Sequence, residues 1–323
     1  MEKNSLIFVA GHRGLVGSAI LRELHRRGYG NTVTRSHSEL DLENQAATEA
    51  FFAEVRPEIV FLAAARVGGI GANSVHRAEM IYSNLMIQCN VIHAAWRHGV
   101  KKLVFLGSSC IYPRLAPQPM QEECLLTSGL EYTNEPYALA KIAGLRMCES
   151  YNLQYGTNFI SVMPTNLYGE NDSFDLENGH VLPVLIRKFH EAKVKNRETV
   201  ELWGSGKPRR EFLYSDDLAE AVVMLAERVS FRDLAGEKGG NVRNTHINIG
   251  TGKDLAIAEL ADLIREIVGF KGEIVWDASK PDGTPQKLLD ISKIRSLGWQ
   301  PKTKLREGIK RTYGWFLDHL DEL

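Results

Sequence analysis

The sequence lacks any apolar run approaching the ~18 residues that a membrane-spanning helix needs. The longest, Ile59 to Ala65, stops at Arg66. It lacks a surplus of either charge: 39 Lys+Arg stand against 40 Asp+Glu, a net charge of −1. General nucleic-acid binders carry a basic surplus, so that class is excluded. Cysteine is scarce, and Cys89, Cys110, Cys124 and Cys148 form no C-x-x-C pair. No H-E-x-x-H occurs either, so no metal site is expected. The apolar stretch after Met1-Glu2-Lys3-Asn4 ends at Gly11-His12-Arg13, too short for a secretory signal. Widely spaced cysteines without an export signal are expected to stay reduced in the cytoplasm. What is present, 323 residues with 44% hydrophobic and 24% charged, is the balance of a soluble globular chain. That length accommodates two domains, or one large α/β domain with an appendage.

The first half alternates between two periods. Short apolar runs at Leu6–Ala10, Thr32–Thr34, Ile59–Ala64, Leu103–Gly107 and Phe159–Met163 read as buried strands. Between them lie segments with helical spacing: Leu15 to about Gly28, a stretch through Ala47, Phe51, Phe52 and Val55, Arg77–His98, and Pro136–Tyr155. Strands apolar throughout, alternating with helices, imply an α/β fold with a doubly wound parallel sheet, a Rossmann architecture. The second half is less regular. It offers helices at Val181–Lys193, Asp217–Arg228 (Ser215 as candidate N-cap), Ala258–Val268 and Arg306–His319, and strands at Val200–Trp203 and His246–Gly250. Residues 230–245, with Gly236, Gly239 and Gly240, read as a loop. The expected division is a dinucleotide-binding domain of 1–165 plus about 212–250. A smaller α/β substrate-binding lobe takes about 166–211 plus 251–323.

Gly11-His12-Arg13-Gly14-Leu15-Val16-Gly17 follows the first strand and opens the first helix. Gly11 suits a tight turn, Gly14 a close approach to a pyrophosphate, and Gly17 close helix–strand packing. The helix N-terminus offers free N–H groups to phosphates. NAD sites usually place an acid at the end of the second strand, against the ribose 2′-hydroxyl. Here the segment reads Thr34-Arg35-Ser36-His37-Ser38, with no acid before Glu39. Arg13 and Arg35 suit a 2′-phosphate instead, which predicts NADP(H); as two solvated arginines they would give no preference.

Tyr137 and Lys141 stand at i, i+4 after Pro136, on one helix face. A cation there is expected to lower the phenol's pKa, so that it exchanges a proton at a substrate oxygen. Ser108-Ser109 closes the fourth strand, where ligands of doubly wound sheets lie. A Y-x-x-x-K pair alone is also a common surface pair.

Together the Gly loop, Leu62-Ala63-Ala64-Ala65, Ser108-Ser109, Tyr137-x-x-x-Lys141 and Pro164-Thr165-Asn166-Leu167-Tyr168-Gly169 resemble the extended short-chain dehydrogenase/reductase family, in its sugar-nucleotide branch. Gly107-Ser108-Ser109-Cys110-Ile111-Tyr112-Pro113, Thr133-Asn134-Glu135-Pro136-Tyr137 and Lys280-Pro281-Asp282-Gly283-Thr284 narrow the resemblance. It then points to members that epimerise C3 and C5 of GDP-4-keto-6-deoxy-D-mannose and reduce C4 with NADPH. The resemblance implies Tyr137 as proton donor, Lys141 as its partner, Ser108 on the ketone oxygen, and Cys110 and His180 as the epimerase acid/base pair. By residue type alone, Cys110 reads as a small core residue and His180 as a helix cap. The resemblance implies cofactor contacts from Gly11 to Gly17, Arg35, His37, Leu106, Gly107, Ser108, Ser109, Lys141, Pro164, Thr165, Asn166, Leu167 and His180. It implies substrate contacts from Lys188, Trp203, Arg210 and Asp282. Lys188 and Arg210 suit a diphosphate, Trp203 an apolar face and Asp282 a hydroxyl; the pair Arg209-Arg210 after Gly204-Ser205-Gly206 suits an anion. Where the family often has histidine this chain has Tyr214, with no catalytic role implied. A homodimer formed through Arg77–His98 and Pro136–Tyr155 is also implied. Two alternatives stay open: another nucleotide-sugar epimerase or dehydratase that retains its cofactor, and a catalytically silent NADP-binding scaffold.

Overall fold

The computed structural model describes residues 1–236, 242–280 and 282–322. Gly239, Gly240 and Pro281 lie outside them. The first half alternates as its apolar spacing predicts: β1 (Ile7–Ala10), α1 (Leu15–Arg26), β2 (Thr32–Val33), α2 (Gln45–Val55), β3 (Ile59–Leu62), α3 (Ile70–Val75), α4 (Arg77–Arg97), β4 (Lys102–Leu106), α5 (Glu135–Tyr155) and β5 (Phe159–Pro164). The second half follows with β6 (Asn166–Tyr168), α6 (Val181–Val194), β7 (Thr199–Trp203), β8 (Arg209–Tyr214), α7 (Ser215–Arg228), α8 (Phe231–Leu234) and β9 (Ile247–Ile249). It ends with β10 (Asp254–Ala256), α9 (Ile257–Val268), β11 (Glu273–Asp277), β12 (Gln286–Lys287), α10 (Ser292–Ser296) and α11 (Leu305–Asp318).

Six strands form one parallel sheet in the order β2-β1-β3-β4-β5-β9. β1, β3, β4 and β5 are buried along their whole lengths, as strands covered on both faces must be. Two helical groups supply that cover: α1 packs on α7, and α4 packs on both α2 and α5. The strand order reverses at β1, which has β2 on one side and β3 on the other, so a crevice opens beyond their carboxyl ends.

A second core gathers Leu185, Ile186 and Phe189 of α6, Ile264 of α9, and Ile309 and Phe316 of α11. Around it β6, β8, β10 and β12 form a mixed sheet, and β7 pairs with β11. Its strands leave the large sheet at the carboxyl ends of β5 and β9. Leu289, Ile291, Ile294 and Trp299, from the stretch expected in the smaller lobe, pack into the first core.

Two local expectations change. Ser215 is not the cap of α7. β8 runs straight into the helix, so Tyr214 takes the N-cap position and Ser215 is buried as the first helical residue. The expected loop after Val229 contains α8, closed by a capping box between Ser230 and Asp233.

Glu211 of β8 joins the two cores. It is fully buried, and its carboxylate accepts the N–H groups of Thr251 (2.5 Å), Gly252 (2.6 Å) and Leu289 (3.0 Å). Its own carbonyl accepts from Thr165 Oγ1 (3.3 Å) and Asn166 Nδ2 (2.9 Å). Burial pushes the carboxyl pKa up, and the three N–H groups hold it down. Glu211→Ala is expected to cost about 3 kcal/mol, because it removes the acceptor of three main-chain donors, one of them buried and two half-buried. Urea unfolding of parent and variant measures it; a loss under about 1 kcal/mol would deny Glu211 this role.

Candidate active site

The glycine loop sits at the crevice. Gly11 has φ +84°, and a Cβ there would stand 2.7 Å from Ala64 N. A Cβ on Gly17 would lie 2.1 Å from Gly11 O, so helix and turn touch only without side chains. Gly14 is different: a Cβ there would meet only Gly11 O, at 3.7 Å, so the loop's outer side stays open. Gly14 is the N-cap of α1 without a side-chain cap, and the first turn carries no acid. Its N–H groups and positive helix end therefore face a space that suits a phosphate. Leu15 and Val16, at the start of this turn, are half-buried.

Arginines stand in the glycine loop and after β2. Arg13 and Arg35 are both exposed, and neither forms an ion pair among the described residues. Arg35 lies 5.6 Å from the centre of the Phe51 ring and donates to Thr34 O at 2.8 Å. Glu39 is committed elsewhere, accepting Ser36 N at 2.7 Å and Ser36 Oγ at 2.6 Å. It feels the charges of Arg35 and Arg13, and His12 feels Arg13 and Glu39, so these four groups share one neighbourhood. Burial, with Arg13 beside it, pushes the His12 pKa down. His37 is exposed, with Nδ1 3.9 Å from Asp41 Oδ1.

β4 delivers the next group. Gly107 N donates to Val162 O at 2.8 Å, locking the turn to β5. Ser108 then accepts Cys110 N on its hydroxyl at 3.2 Å, while Ser109 is buried. Lys141 is only 4% exposed, and its Nζ donates to Leu106 O at 2.8 Å. The ammonium stands 5.7 Å from the centre of the Tyr137 ring. Burial pulls the Lys141 pKa down to about 7. Tyr137 keeps part of its surface open, yet burial of its phenol pushes its pKa up, the Cys110 charge adds to this, and the Ser108 hydroxyl opposes it. The expected lowering of the tyrosine by Lys141 is therefore absent in this state. Desolvation wins, since the amine is itself partly neutral and makes no hydrogen bond to the phenol.

Cys110 is half-buried and sits between donors. Asn134 Nδ2 lies 3.3 Å from Sγ, and Lys287 Nζ, from β12, lies 3.9 Å away. Neither was singled out in the sequence. Asn134 lies inside a recognised motif, whereas nothing local distinguishes Lys287. Arg210 feels the charges of Cys110, Glu131 and Asp282. Arg209 does not join it: adjacent strand residues point to opposite faces, and Arg209 pairs with Asp254 at 3.0 Å. The expected cation pair is a single cation, Arg210. Asp282 accepts Ser205 N at 2.9 Å and Ser205 Oγ at 2.6 Å, which holds its pKa down. Trp203 is 66% exposed, with Lys280 Nζ 5.3 Å from its ring centre. Lys188 Nζ donates to Glu201 O at 3.2 Å.

His180 takes the N-cap position of α6, as its residue type suggests, but its side chain makes no cap hydrogen bond. Its surface is exposed, and partial desolvation of its ring pushes its pKa down. Gly69 N donates to Asn178 O at 2.8 Å, bracing this segment on the loop before α3. No hydrogen bond joins His180 to Cys110 or Tyr137 among the described residues. Thr165 N donates to Ile249 O at 3.0 Å, placing Pro164 to Leu167 at the sheet's carboxyl edge. No cluster of metal-ligating side chains occurs among the described residues, and no helix there is long and apolar enough to cross a membrane.

Residues 7–250 match the NAD dependent epimerase/dehydratase family, and the chain belongs to it. It is 57% identical over 320 residues to the putative GDP-L-fucose synthase 2 of Arabidopsis thaliana, covering 99% of this chain and 94% of that one. Among solved structures, a GDP-6-OMe-4-keto-L-xylo-heptose reductase from C. jejuni superposes with TM-score 0.95 at 45% identity, covering 99% of both chains. A GDP-L-fucose synthetase from Naegleria fowleri, bound to NADP, superposes with TM-score 0.87 at 28% identity, covering 99% of this chain and 96% of that one.

The buried amine has a pH signature. Folded Lys141 loses its proton near pH 7, whereas the unfolded chain keeps it to about 10.4. Between these values the unfolded state binds more protons, so this group makes stability rise with pH, by about 1.4 kcal/mol per unit at most. Unfolding free energies of the parent and Lys141→Met between pH 6.5 and 9.5 test this. The parent is expected to gain on the variant as pH rises, and parallel curves would show that Lys141 stays charged.

Proposed function

We propose that this protein epimerises C3 and C5 of GDP-4-keto-6-deoxy-D-mannose and reduces C4 with NADPH, giving GDP-L-fucose. The observation that carries the reading is one site in which Ser108, Tyr137 and Lys141 adjoin the Cys110 thiol. The first three suit a ketone reductase, and the thiol is what an epimerase adds. The likeness to the A. thaliana relative supports the sugar, and the NADP-bound N. fowleri structure supports the cofactor.

The open phosphate cradle and the unpaired Arg13 and Arg35 fit NADP(H). In this reading residues Gly11–Gly17 hold the pyrophosphate, Arg13 and Arg35 the 2′-phosphate, with His37 nearby. Leu106–Ser109, Lys141, Pro164–Leu167 and His180 surround the nicotinamide half. When bound, NADPH supplies the hydride to C4. The protein's own groups do the proton chemistry. Ser108 and Tyr137 hydrogen-bond the C4 oxygen, which carries the charge when a neighbouring carbon loses its proton. Cys110 and His180 remove and return protons at C3 and C5 on opposite faces. Tyr137 gives its proton to the C4 oxygen during reduction. Arg210 and Lys188 take the diphosphate, and Trp203 and Asp282 the rest of the nucleotide sugar.

The same reading makes the protein a cytoplasmic homodimer. Leu139, Leu153 and Tyr155 of α5 and Tyr82 of α4 are exposed on a shared helical layer, which supports pairing there. Light scattering is expected to give twice 36.2 kDa, and a monomer mass would refute the dimer.

Absorbance of the reduced nicotinamide tests the reaction. NADPH is expected to be consumed with GDP-4-keto-6-deoxy-D-mannose at least about tenfold faster than NADH, and Arg35→Ala is expected to narrow that gap. Tyr137→Phe should abolish reduction but leave solvent deuterium entering C3 and C5, while Cys110→Ser should suppress the exchange first. Equal loss of both steps in both variants would overturn the division of roles. Consumption only with a different GDP-4-keto sugar would select a plain C4 reductase, a reading favoured by the fit to the C. jejuni structure.

A further inference from the structure

Asn134 stands at the N-cap of α5, where an asparagine ordinarily accepts an N–H of the first helical turn through Oδ1. It does not do so here. The cap makes no side-chain hydrogen bond, and Oδ1 is buried without any partner. The amide instead points its Nδ2 at Cys110 Sγ, 3.3 Å away. The side chain thus forgoes a cap worth about 1 kcal/mol and leaves a buried acceptor unmet, and the sulfur contact is what it has in return. Such a departure from local preference is expected where a residue serves a site.

We infer that Asn134 is a positioning residue that holds Cys110 for proton transfer, its amide serving both protonation states of the sulfur. The inference rests on the role of Cys110 in the proposed function. As a thiolate, Sγ accepts from Nδ2–H. When Sγ takes a proton from the sugar carbon, whose electron pair passes to the C4 oxygen, the sulfur becomes a donor. A half-turn of the amide then presents Oδ1 to the new S–H. Oδ1 has no other partner in the present orientation, so nothing holds it against that turn. Asparagine offers a donor and an acceptor of similar shape, whereas aspartate offers acceptors only. Other groups act on the sulfur as well: Lys287 at 3.9 Å from β12, Arg210 from β8, and Tyr137 from α5, whose phenol feels the Cys110 charge. None of the three is hydrogen-bonded to the Asn134 side chain among the described residues.

The test needs no sugar and no cofactor, so it stands apart from the reaction itself. Cys110 alkylation by iodoacetamide is followed by peptide mass spectrometry across pH 6 to 10, with Cys110→Ser identifying the peptide. Asn134→Ala is expected to slow alkylation at pH 7.5 about tenfold, with the pH profile displaced upward. Asn134→Asp is expected to slow it further, because a carboxylate repels the thiolate and cannot donate. Asn134→Gln should recover part of the parent's rate. Thermal melts should stay close to the parent's, since no cap bond is lost. Profiles that coincide for parent, Ala and Asp, with folding intact, would overturn the inference. So would equal slowing in Ala and Asp accompanied by a matching fall in stability, which is what a purely structural residue gives. Loss of ketosugar reduction alone, with the expected alkylation order, would count against the proposed reaction and not against Asn134.

Discussion

The buried carboxylate of Glu211 is the constraint on which the site's geometry depends. It lies within β8, next to Arg210, and makes no ion pair among the described residues. It gathers main-chain N–H groups from the turn after β9 and from the segment after β12. Its carbonyl takes side chains from the stretch after β5. Four separate parts of the chain therefore meet at one residue, and three of them carry something the candidate site needs. β8 brings Arg210, the β5 exit brings Thr165 and Asn166, and β12 brings Lys287 to Cys110. An apolar side chain there could fill the volume but could not fix these segments in register. Directional acceptors meeting several N–H groups can.

Burial sets the protonation chemistry of Lys141 and Tyr137 before any ligand arrives. Lys141 and Tyr137 are close enough for their charges to matter, but in low dielectric each first loses its hydration. The lysine answers by becoming easier to deprotonate and the tyrosine by becoming harder. Neither shift is a defect for the proposed reaction. A proton donor needs its proton at hand, and a tyrosine that is neutral at rest has it. The Leu106 carbonyl keeps the lysine pointed along β4, so its position does not depend on its charge.

The sheet was legible in the sequence because parallel strands buried on both faces are apolar throughout, and the glycine loop because backbone contacts there exclude side chains. The Tyr137–Lys141 pair was legible because its i, i+4 spacing is local, and Ser108 because it follows the fourth strand. What could not be read depends on direction or on distant partners. Arg209 and Arg210 look like a pair in one dimension, but strand alternation sends them to opposite faces. Ser215 looks like a cap only if a linker separates β8 from α7, and none does. Glu211 resembles any strand glutamate until its three N–H partners, 40 or more positions away in the chain, are folded around it. Asn134 sits where a cap is expected, so its turn toward Cys110 is invisible without coordinates.

The two halves of the proposed reaction make opposite demands, and the site's electrostatics reconcile them. Epimerisation wants an anionic sulfur, while reduction wants a protonated phenol. Placed in one desolvated cleft, the two groups repel as anions, and the charge on Cys110 is one of the causes that raise the Tyr137 pKa. Burial first, and the nearby sulfur second, keep the Tyr137 phenol protonated. A carbon proton can then be taken while the C4 oxygen is still hydrogen-bonded by an intact O–H. Once a carbon proton has been taken on one face and another returned on the opposite face, the phenol still holds its own proton to donate. Asn134 and Lys287 stand at the sulfur, whereas the Ser108 hydroxyl faces the phenol. The order of proton movements thus follows from the phenol keeping its proton.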